Sequence, residues 1–588
     1  MRTKLRVIGT PFPACHNGLL FSFEETLMRK APFLLAALPT LLLGACASTP
    51  ATPPAPANPA ISVEVPAVSH PQGETPQWWY RSGAARAAAN GAMGGKAKNV
   101  ILFLGDGMSL TTVAAARILQ GQRHGSAGEE NLLSWEHFPA TAFSKTYNTD
   151  SQTPDSAGTM SAISTGVKTH MGAISVSAGN TSDCADSLGK HVLSWLELAD
   201  SAGLATGVVS TARLTHATPA ATYAHVPNRN WENDAAMPAA ARTQGCRDIA
   251  SQLLDANRFG HGPQVVLGGG AAQFLPAGVE HGKRGDGRNL VSEWQQAHPQ
   301  GAVVTNAGEL AEKAMAPQLF GLFSYSHMAY DHDRKRGADG EPSLAEMTRA
   351  AIGNLSRNRD GYVLMVEGGR IDMANHAGNA FRALDETIAL SDAVQAAMDA
   401  TSAEDTLIIV TADHSHSLNF VGYPVRGNPI LGKVRGKNAF DGKAGELALA
   451  LDGKPYTTLS YANGPGNTGA TDAQPAGSKR FPHEPEKLLQ AAAARTDLAD
   501  TDTEQPDYMQ DALVPLSGET HGGEDVGIWA RGPGSSAVRG TLEQNTIYHL
   551  IVQATPRLRE RLCAARTCDA NGVPVELPQP AQFQRKAE

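Results

Sequence analysis

The chain has 588 residues, of which 41% are hydrophobic and 18% charged, and its net charge at pH 7 is -9. The 49 basic and 58 acidic side chains argue against a general nucleic-acid binder, because phosphate-backbone binding favours basic surfaces. We therefore predict no nucleic-acid partner. The length allows one large domain with insertions, or several ordinary ones, and the composition excludes a wholly disordered, collagen-like or multi-span membrane protein.

The N-terminal segment that ends at Cys46 has the features of an export signal. Basic residues after Met28 precede a mostly apolar run from Ala31 to Leu43, which is too short to span a bilayer and has the length of a signal-peptide core. The run is followed by the sequence LGAC, which resembles the bacterial lipobox, where the Cys is lipidated after cleavage. A plain secretory signal with a chance Cys is the alternative.

We therefore predict that residues 1–46 are a signal region, translated from Met28, and that lipid on Cys46 anchors the exported protein to a membrane. The protein is then periplasmic, or a lipoprotein of the outer membrane or cell surface. Residues 47–75 are rich in Pro, Ala, Ser and Thr, a composition typical of an extended tether.

Cysteine usage agrees with export. Four cysteines lie beyond the predicted signal, and an oxidising compartment favours two disulfides. Cys563 and Cys568 are close in sequence and form the first predicted pair, which leaves Cys184 to Cys246. Four free thiols are the alternative. A metal site built from these cysteines is less favoured, because no C-x-x-C spacing occurs.

Short apolar runs recur along residues 76–572, each followed by a polar or Gly-rich turn and often by a helical pattern. This alternation predicts an α/β domain with a doubly wound, mainly parallel central sheet and helices on both faces. The stretch at about 428–506 breaks the rhythm and predicts a rim insertion outside the core, and residues 573–588 resemble a loose tail. The predicted strands are Asn99–Leu104, Ala205–Val209, Tyr362–Val366 and Thr406–Val410.

Acidic and imidazole side chains follow three of these strands. In open α/β sheets, ligands bind just beyond the carboxyl ends of the strands. A single strand-end Asp is commonly a helix cap, but three such groups at equivalent positions indicate a shared site. Carboxylate with imidazole is the ligand mixture typical of zinc. The residues are Asp106, then Glu367, Asp372 and His376, then Asp413 and His414.

The spacing of these residues supports a metal site. Asp372 and His376 are four residues apart at a predicted helix start, so they share a helix face. Asp413 and His414 are adjacent, and at a strand end both can turn toward one ion.

Ser156 precedes a helical run of small residues that Gly166 would end. One interpretation is an N-capping Ser, which is common. The other is a nucleophile, because the N–H groups and dipole at a helix N-terminus favour an alkoxide and a bound phosphate. A metal could activate its hydroxyl without a Ser-His-Asp arrangement.

Several long motifs of the chain resemble those of alkaline phosphatases. They resemble the animal type more closely than the best-known bacterial type. The resemblance covers roughly Trp78 to Cys568, and the motifs occur in family order. The matching segments are NVILFLGDGMSLTTVAAARILQGQ, TYNTDSQTPDSAGTMSAISTGVK, THATPAATYAHVPNRNW, MVEGGRIDMANHAGNA, VTADHSHSLNFVGYPVRGN and PLSGETHGGEDVGIWARGP.

The resemblance implies a phosphate monoester hydrolase of broad specificity, usually a homodimer, with two zinc ions and one magnesium ion. Ser156 would become phosphorylated, Arg229 would grip two phosphoryl oxygens, and His416 would support the site without being a primary ligand. The insertion would form the rim domain called the crown. The implied ligands are Asp372, His376 and His521 for one zinc, Asp106, Asp413, His414 and Ser156 for the other, and Asp106, Thr218 and Glu367 for magnesium.

Two positions beside the site depart from the family. The best-known bacterial enzyme has an Asp and a Lys there and animal enzymes have two His, whereas this chain has His216 and Met373. A Met cannot bridge to phosphate through water, so phosphate release and metal preference would differ. We predict no calcium site, because Ser324 stands where a carboxylate is expected and the loop near 277–288 is shortened.

Two other functions fit the sequence less well. Sulfatases need a C/S-x-P-x-R motif, which is absent, and related phosphodiesterases usually use Thr as nucleophile and lack the Arg and the magnesium site. The presence of Ser156, Glu367 and Arg229 favours monoesters. A lipoprotein that only binds phosphate or a metal would be expected to have lost a ligand, and every primary ligand is present.

Overall fold

The computed structural model describes residues 61–68, 71–177, 183–437, 444–450, 453–467, 480–482 and 496–585. The chain divides into two units, Met1–Ala57 and Asn58–Glu588, and everything below concerns the second. The predicted signal, the start at Met28 and the lipidation residue Cys46 lie outside the described residues. Among the helices that are described, none combines the length and apolar character needed to cross a bilayer.

Ten strands, numbered along the chain, form the central sheet. They are β1 (Asn99–Gly105), β2 (Ala140–Lys145), β3 (Ala205–Arg213), β4 (Val265–Gly269), β5 (Ala302–Val304), β6 (Leu319–Leu322), β7 (Tyr362–Gly368), β8 (Thr406–Ala412), β16 (Val526–Arg531) and β17 (Gly540–Glu543). Their order across the sheet is β17-β2-β16-β8-β1-β7-β3-β4-β6-β5. Only β16 runs antiparallel to its neighbours in this described sheet, so the predicted mainly parallel sheet is confirmed.

Seven shorter strands form three small sheets, in the orders β10-β13-β14, β11-β12 and β15-β9. They are β9 (Ser415–His416), β10 (Leu418–Phe420), β11 (Arg435–Lys437), β12 (Ala444–Leu447), β13 (Leu459–Gly464), β14 (Ala512–Pro515) and β15 (His521–Gly522).

Helices cover both faces of the central sheet. They are α1 (Pro76–Ala89), α2 (Leu110–Arg123), α3 (Ser156–Thr165), α4 (Cys184–Ser187), α5 (Trp195–Ser201), α6 (Ala217–Ala220), α7 (Ala239–Thr243), α8 (Ile249–Leu254), α9 (Leu290–Ala297), α10 (Ala307–Lys313), α11 (Leu344–Leu355), α12 (Arg370–His376), α13 (Ala380–Ala400), α14 (Thr546–Ala554) and α15 (Pro556–Ala564). Short 3-10 turns connect several of them.

The four strands that the sequence predicts lie side by side at the centre of the sheet, in the order β8-β1-β7-β3. Successive residues of β1 pack alternately into two cores, because side chains alternate across a strand. Leu102 and Leu104 join one core and Ile101 and Phe103 the other. Burial on both faces explains why these strands read as continuous apolar runs.

Both predicted disulfides are present. Cys184 bonds to Cys246 with a Cα–Cα distance of 5.9 Å, and Cys563 bonds to Cys568 with a Cα–Cα distance of 4.9 Å. The alternative of four free thiols is therefore wrong.

The predicted loose tail after Gly572 is wrong for the residues that are described. Val573 and Val575 are buried against Ala84 and Ala88 of α1, and Phe583 is only 1% exposed in the main core. These apolar residues are spaced among Pro and polar residues, which hides any strand or helix period. The C-terminal stretch is therefore part of the domain.

The predicted tether extends too far into the domain. Ile61 and Val63 pack on the same small core as Val573, and the indole N–H of Trp78 donates to the carbonyl oxygen of Pro66 at 2.8 Å. Residues 61–68 therefore lie on the domain surface, whereas residues 47–60 lie outside the described part of the chain.

The rim insertion is also less separate from the core than its composition predicts. Ile430 and Tyr461 are buried within one of the two main cores. The strand β13 pairs with β10 and β14, which come from outside the predicted limits of 428–506. The insertion is thus tied into the domain on both sides.

Candidate active site

The candidate site lies where β1, β7 and β8 end. Gly105 is level with Gly368 on one side and with Ala412 on the other, so the residues that follow these strands meet at one edge of the sheet. Asp106 and Asp413 come together there, and the N–H of Gly107 donates to Oδ1 of Asp413 at 3.1 Å. The parallel sheet thus assembles groups that are far apart in sequence.

Asp372, His376 and His521 form a triangle of ligand atoms. The Nε2 atoms of the two histidines are 3.1 Å apart, and each lies 3.3 Å from Oδ1 of Asp372. Tetrahedral ligands at about 2.0–2.1 Å from zinc lie about 3.3 Å from one another. The three atoms therefore have the spacing that one zinc ion requires.

Asp106, Asp413, His414 and Ser156 form a second set. Nε2 of His414 lies 3.4 Å from Oδ1 of Asp106 and 3.4 Å from Oδ2 of Asp413. Oγ of Ser156 lies 3.1 Å from the same nitrogen and 3.5 Å from Oδ1 of Asp106. These separations again fit a tetrahedral zinc site, and the nucleophile candidate belongs to the set.

Backbone carbonyls orient three of the histidines. The Nδ1–H groups of His376, His414 and His521 donate to the carbonyl oxygens of Glu519, Ser415 and Pro154, at 2.5, 3.1 and 2.7 Å respectively. Each ring therefore presents its other nitrogen, Nε2, as a lone pair toward the ligand atoms described above. This is the usual outer-shell arrangement of metal-binding histidines.

A third group of oxygen atoms lies beside the second set. Oδ2 of Asp106, Oγ1 of Thr218 and Oε1 of Glu367 are buried with no partner in good hydrogen-bond geometry within the described structure, and the Thr218 hydroxyl lies close to the Glu367 carboxylate. Buried oxygens without donors are costly unless a cation or water satisfies them. Carboxylate and hydroxyl oxygens suit magnesium, although a ring nitrogen of His216 also lies within ligand distance of Asp106 and Glu367.

The carboxylates of this region are costly to ionise without a cation. Burial, together with the charge of Asp413, raises the pKa of Asp106 well above its ordinary value. Burial is the main cause that raises the pKa of Glu367 to about 8. The hydrogen bond from Ser210 opposes this rise, and the charge of Asp413 adds to it. Bound cations reverse this effect by stabilising the ionised form, so the residues fit metal ions.

The nucleophile candidate opens helix α3. Asp155, and not Ser156, is the N-cap, because its carboxylate accepts from the N–H of Gly158 at 3.1 Å. The interpretation of Ser156 as an N-capping Ser is therefore wrong. Ser156 is the first helical residue, its side chain is buried with Oγ against His414, and the helix ends at Gly166 with φ of +77°.

Arg229 is held from two sides at the entrance of this helix. Its Nη1 donates to Oδ2 of Asp155 at 3.0 Å and its Nη2 donates to Nε2 of His216 at 3.1 Å. Burial opposes protonation, but the charge of Asp155 raises the pKa of Arg229. The guanidinium is thus a fixed cation beside the nucleophile, as phosphate binding requires.

Met373, the other unusual residue, is half-buried on α12 one residue after Asp372. Nη1 of Arg370 contacts its sulfur at 2.9 Å, and the Arg370 guanidinium stacks on the ring of Tyr330 at 3.7 Å. The Met side chain therefore faces a cation one helical turn away.

His416 and Glu519 lie behind the first ligand set. Nε2 of His416 donates to Oδ1 of Asp372 at 2.8 Å, and its Nδ1 donates to Oε2 of Glu519 at 2.5 Å. Burial favours the neutral ring of His416, but the charge of Glu519 and the hydrogen bonds to both carboxylates raise the pKa of His416 to about 10. His416 therefore joins the carboxylate of Asp372 to the buried carboxylate of Glu519.

Asp155 and Glu519 contact residues of the site, although the sequence alone predicts no role for either. Asp155 immediately precedes the nucleophile candidate, and that position is a usable signal. Glu519 lies two residues before His521, and in the sequence alone it looks like any loop carboxylate.

Comparison with known proteins agrees with this geometry. A family model described as alkaline phosphatase matches residues 97–556. The tissue-nonspecific isozyme of alkaline phosphatase from Gallus gallus is 42% identical over 476 residues, which cover 78% of this chain and 84% of that protein. An alkaline phosphatase from Gadus morhua is also 42% identical, with coverage of 78% and 92%.

Among solved structures, the crystal structure of Thermus thermophilus alkaline phosphatase superposes with a TM-score of 0.55 at 26% identity, covering 80% of this chain and 96% of that one. The predicted closer similarity to the animal type is confirmed by the higher identity of the animal relatives. The chain therefore belongs to the alkaline phosphatase family and is a phosphate monoester hydrolase.

Proposed function

We propose that this enzyme hydrolyses a broad range of phosphate monoesters through a phosphoserine intermediate on Ser156, at a site for two zinc ions and one magnesium ion. The observation that carries the proposal is the spacing of two donor sets. The separations described above, 3.1 to 3.5 Å, are those of ligand atoms around tetrahedral zinc, and Ser156 belongs to one of the two sets.

The ligands divide among three positions. Asp372, His376 and His521 would hold the zinc on the leaving-group side. The second zinc would be held by Asp106, Asp413 and His414, and magnesium by the other oxygen of Asp106 with Thr218 and Glu367. When bound, these ions supply positive charge that lowers the pKa of the nucleophile and stabilises charge on the reacting oxygens.

In the first step, Oγ of Ser156 attacks phosphorus in line with the ester oxygen. The Oγ–P bond forms while the P–O bond to the alcohol breaks, and the alcohol leaves with a proton. Arg229, held by Asp155, neutralises two of the equatorial oxygens. The first N–H groups of α3 would add partial positive charge near the same phosphoryl group.

In the second step, water attacks the phosphoserine from the side the alcohol has left. The Oγ–P bond breaks, Ser156 regains its proton and inorganic phosphate is released. The contacts described involve only the phosphoryl group, which supports broad specificity for the alcohol.

Export also belongs to this proposal. The predicted signal and lipid on Cys46 would place the enzyme in the periplasm or on a membrane surface, where the Cys184–Cys246 and Cys563–Cys568 disulfides are stable. A homodimer is proposed on the resemblance to family members.

The test combines metal removal with a nucleophile variant. Hydrolysis of p-nitrophenyl phosphate by the purified domain should be abolished by EDTA and restored by zinc, with magnesium giving a further increase. Ser156→Ala should form no phosphoenzyme on quenching with acid and should lose at least about 1000-fold in kcat. Near-normal turnover by Ser156→Ala would refute the nucleophile, and zinc-loaded protein without activity would refute the metal-dependent mechanism.

A further inference from the structure

Glu519 connects to the three residues of the first ligand set, directly to His376 and through His416 to Asp372. The residue is buried, with 2% of its surface exposed. Oε2 accepts from His416, which in turn donates to Asp372. Oε1 accepts from both the N–H and the hydroxyl of Ser417, each at 2.6 Å.

The backbone of Glu519 holds a second ligand. Its N–H donates to the carbonyl oxygen of His376 at 2.9 Å, and its own carbonyl oxygen accepts from Nδ1 of His376 at 2.5 Å. The third ligand, His521, follows two residues later, and its strand pairs with the strand of His416. All three members of the set therefore connect to Glu519 within a few bonds.

We propose that Glu519 is a positioning residue for the zinc held by Asp372, His376 and His521. Its carboxylate fixes His416 so that this ring holds Oδ1 of Asp372 toward the metal. At the same time the carboxylate fixes Ser417, which follows His416 in the chain. This inference rests on the proposed function, because it assigns the three ligands to zinc.

The geometry gives the side chain and the backbone different tasks. The backbone atoms of Glu519 orient His376 whatever the side chain is. The carboxylate alone orients Asp372, through His416, and partners of this kind commonly contribute roughly 10–100-fold to metal affinity. A side-chain substitution therefore tests the positioning role without removing the clamp on His376.

The experiment measures zinc affinity by competition with a chromophoric chelator, together with the visible spectrum of the Co²⁺-substituted enzyme. In Glu519→Gln we expect one of the two zinc ions to bind roughly 10–100-fold more weakly, with an altered cobalt spectrum. Excess zinc should restore much of the activity. Glu519→Asp, which keeps the charge with a shorter reach, should be intermediate.

The chain offers a matched control in Glu197→Gln. Glu197 is 3% exposed and contacts His225 at 2.8 Å, the same buried Glu–His chemistry away from the metal ligands. This variant should lose stability but keep both zinc affinities.

Three results decide the matter. Unchanged zinc affinity and cobalt spectrum in Glu519→Gln would overturn the positioning role. If Glu519→Gln does not fold, Glu519→Asp and Ser417→Ala must weaken the same zinc, and normal affinity in both would overturn it. Wild-type protein that binds no zinc would instead refute the proposed function.

Discussion

Asp155 is one residue with two structural tasks at the phosphate pocket. Oδ1 caps α3 through the N–H of Gly158 and also accepts from the N–H of Gly172 at 3.1 Å. Oδ2 holds Arg229. The same carboxylate thus fixes both the helix that carries the nucleophile and the cation expected to bind phosphate. Because the two tasks use different oxygens, they can be separated by substitution.

We predict that Asp155→Asn weakens phosphate binding while α3 remains capped. The amide keeps an oxygen for Gly158 but loses the charge that holds Arg229. Loss of a charged hydrogen bond of this kind costs about 1.5–3 kcal/mol, or roughly 10- to 150-fold in affinity. The Ki for inorganic phosphate should rise by that factor, with little change in melting temperature.

Asp155→Ala is the comparison variant, because it removes the cap as well. It should show the same rise in Ki together with a lower melting temperature, since loss of an N-cap costs about 1 kcal/mol. An unchanged Ki in both variants would show that Asp155 does not position Arg229.

Sequence patterns identify the residues that would bind a metal ion more readily than the residues that only position those ligands. Asp106, Asp413 and His414 follow apolar strands, and that position marks them as site residues. Glu519 lies in a loop with no periodicity, and its importance depends on a contact with His416, 103 residues away in the chain. Only the fold brings the two together.

Helix α3 connects the active site at its first residue to the core of the domain at its last. Its first residue is Ser156, and its last turn ends at Gly166, where φ is +77°. A Cβ at Gly166 would lie 2.8 Å from the Tyr548 ring and 2.9 Å from the His549 ring of α14. The helix end therefore needs glycine both for its backbone conformation and for close packing.

We predict that Gly166→Ala destabilises the protein more than Gly203→Ala. Both residues have positive φ, but a Cβ at Gly203 meets nothing within 4 Å. The backbone cost of about 1 kcal/mol is common to both, whereas only Gly166 adds an overpacking cost of about 1–3 kcal/mol. Urea unfolding of the two variants measures the difference, and equal midpoints would contradict the packing argument.

Elements whose side chains are buried on both faces are the predictable part of this fold. The central strands form continuous apolar runs, and the helix starts have capping residues, so both are visible in the sequence. The C-terminal stretch around Val573 and the segment around Ile61 are held by a few isolated apolar side chains. No local sequence pattern predicts such contacts, because the partner residues lie in α1. For Val573 that helix is far away along the chain.

The packing of α14 against α1 also makes the stability of the whole domain depend on pH. His549 on α14 is fully buried, with its ring 4.5 Å from that of Tyr80 on α1. Burial, only partly opposed by the nearby backbone of Gly166, lowers the pKa of His549 to about 3. In the unfolded chain the pKa of a histidine is about 6.5. The unfolded state therefore binds more protons than the folded state at any pH between these two values.

Stability from this group is complete above pH 6.5 and decreases as the pH falls toward 3. Between pH 7 and pH 5 the expected loss from His549 alone is about 2 kcal/mol. We predict that His549→Gln, whatever its stability at pH 7, loses less stability than the wild type over this interval. Chemical denaturation at both pH values, with zinc present, measures the two differences.

The control variant is His137→Gln, at an exposed position, which should lose as much stability between pH 7 and pH 5 as the wild type. Equal losses in the wild type and His549→Gln would show that the buried ring is not a source of acid sensitivity.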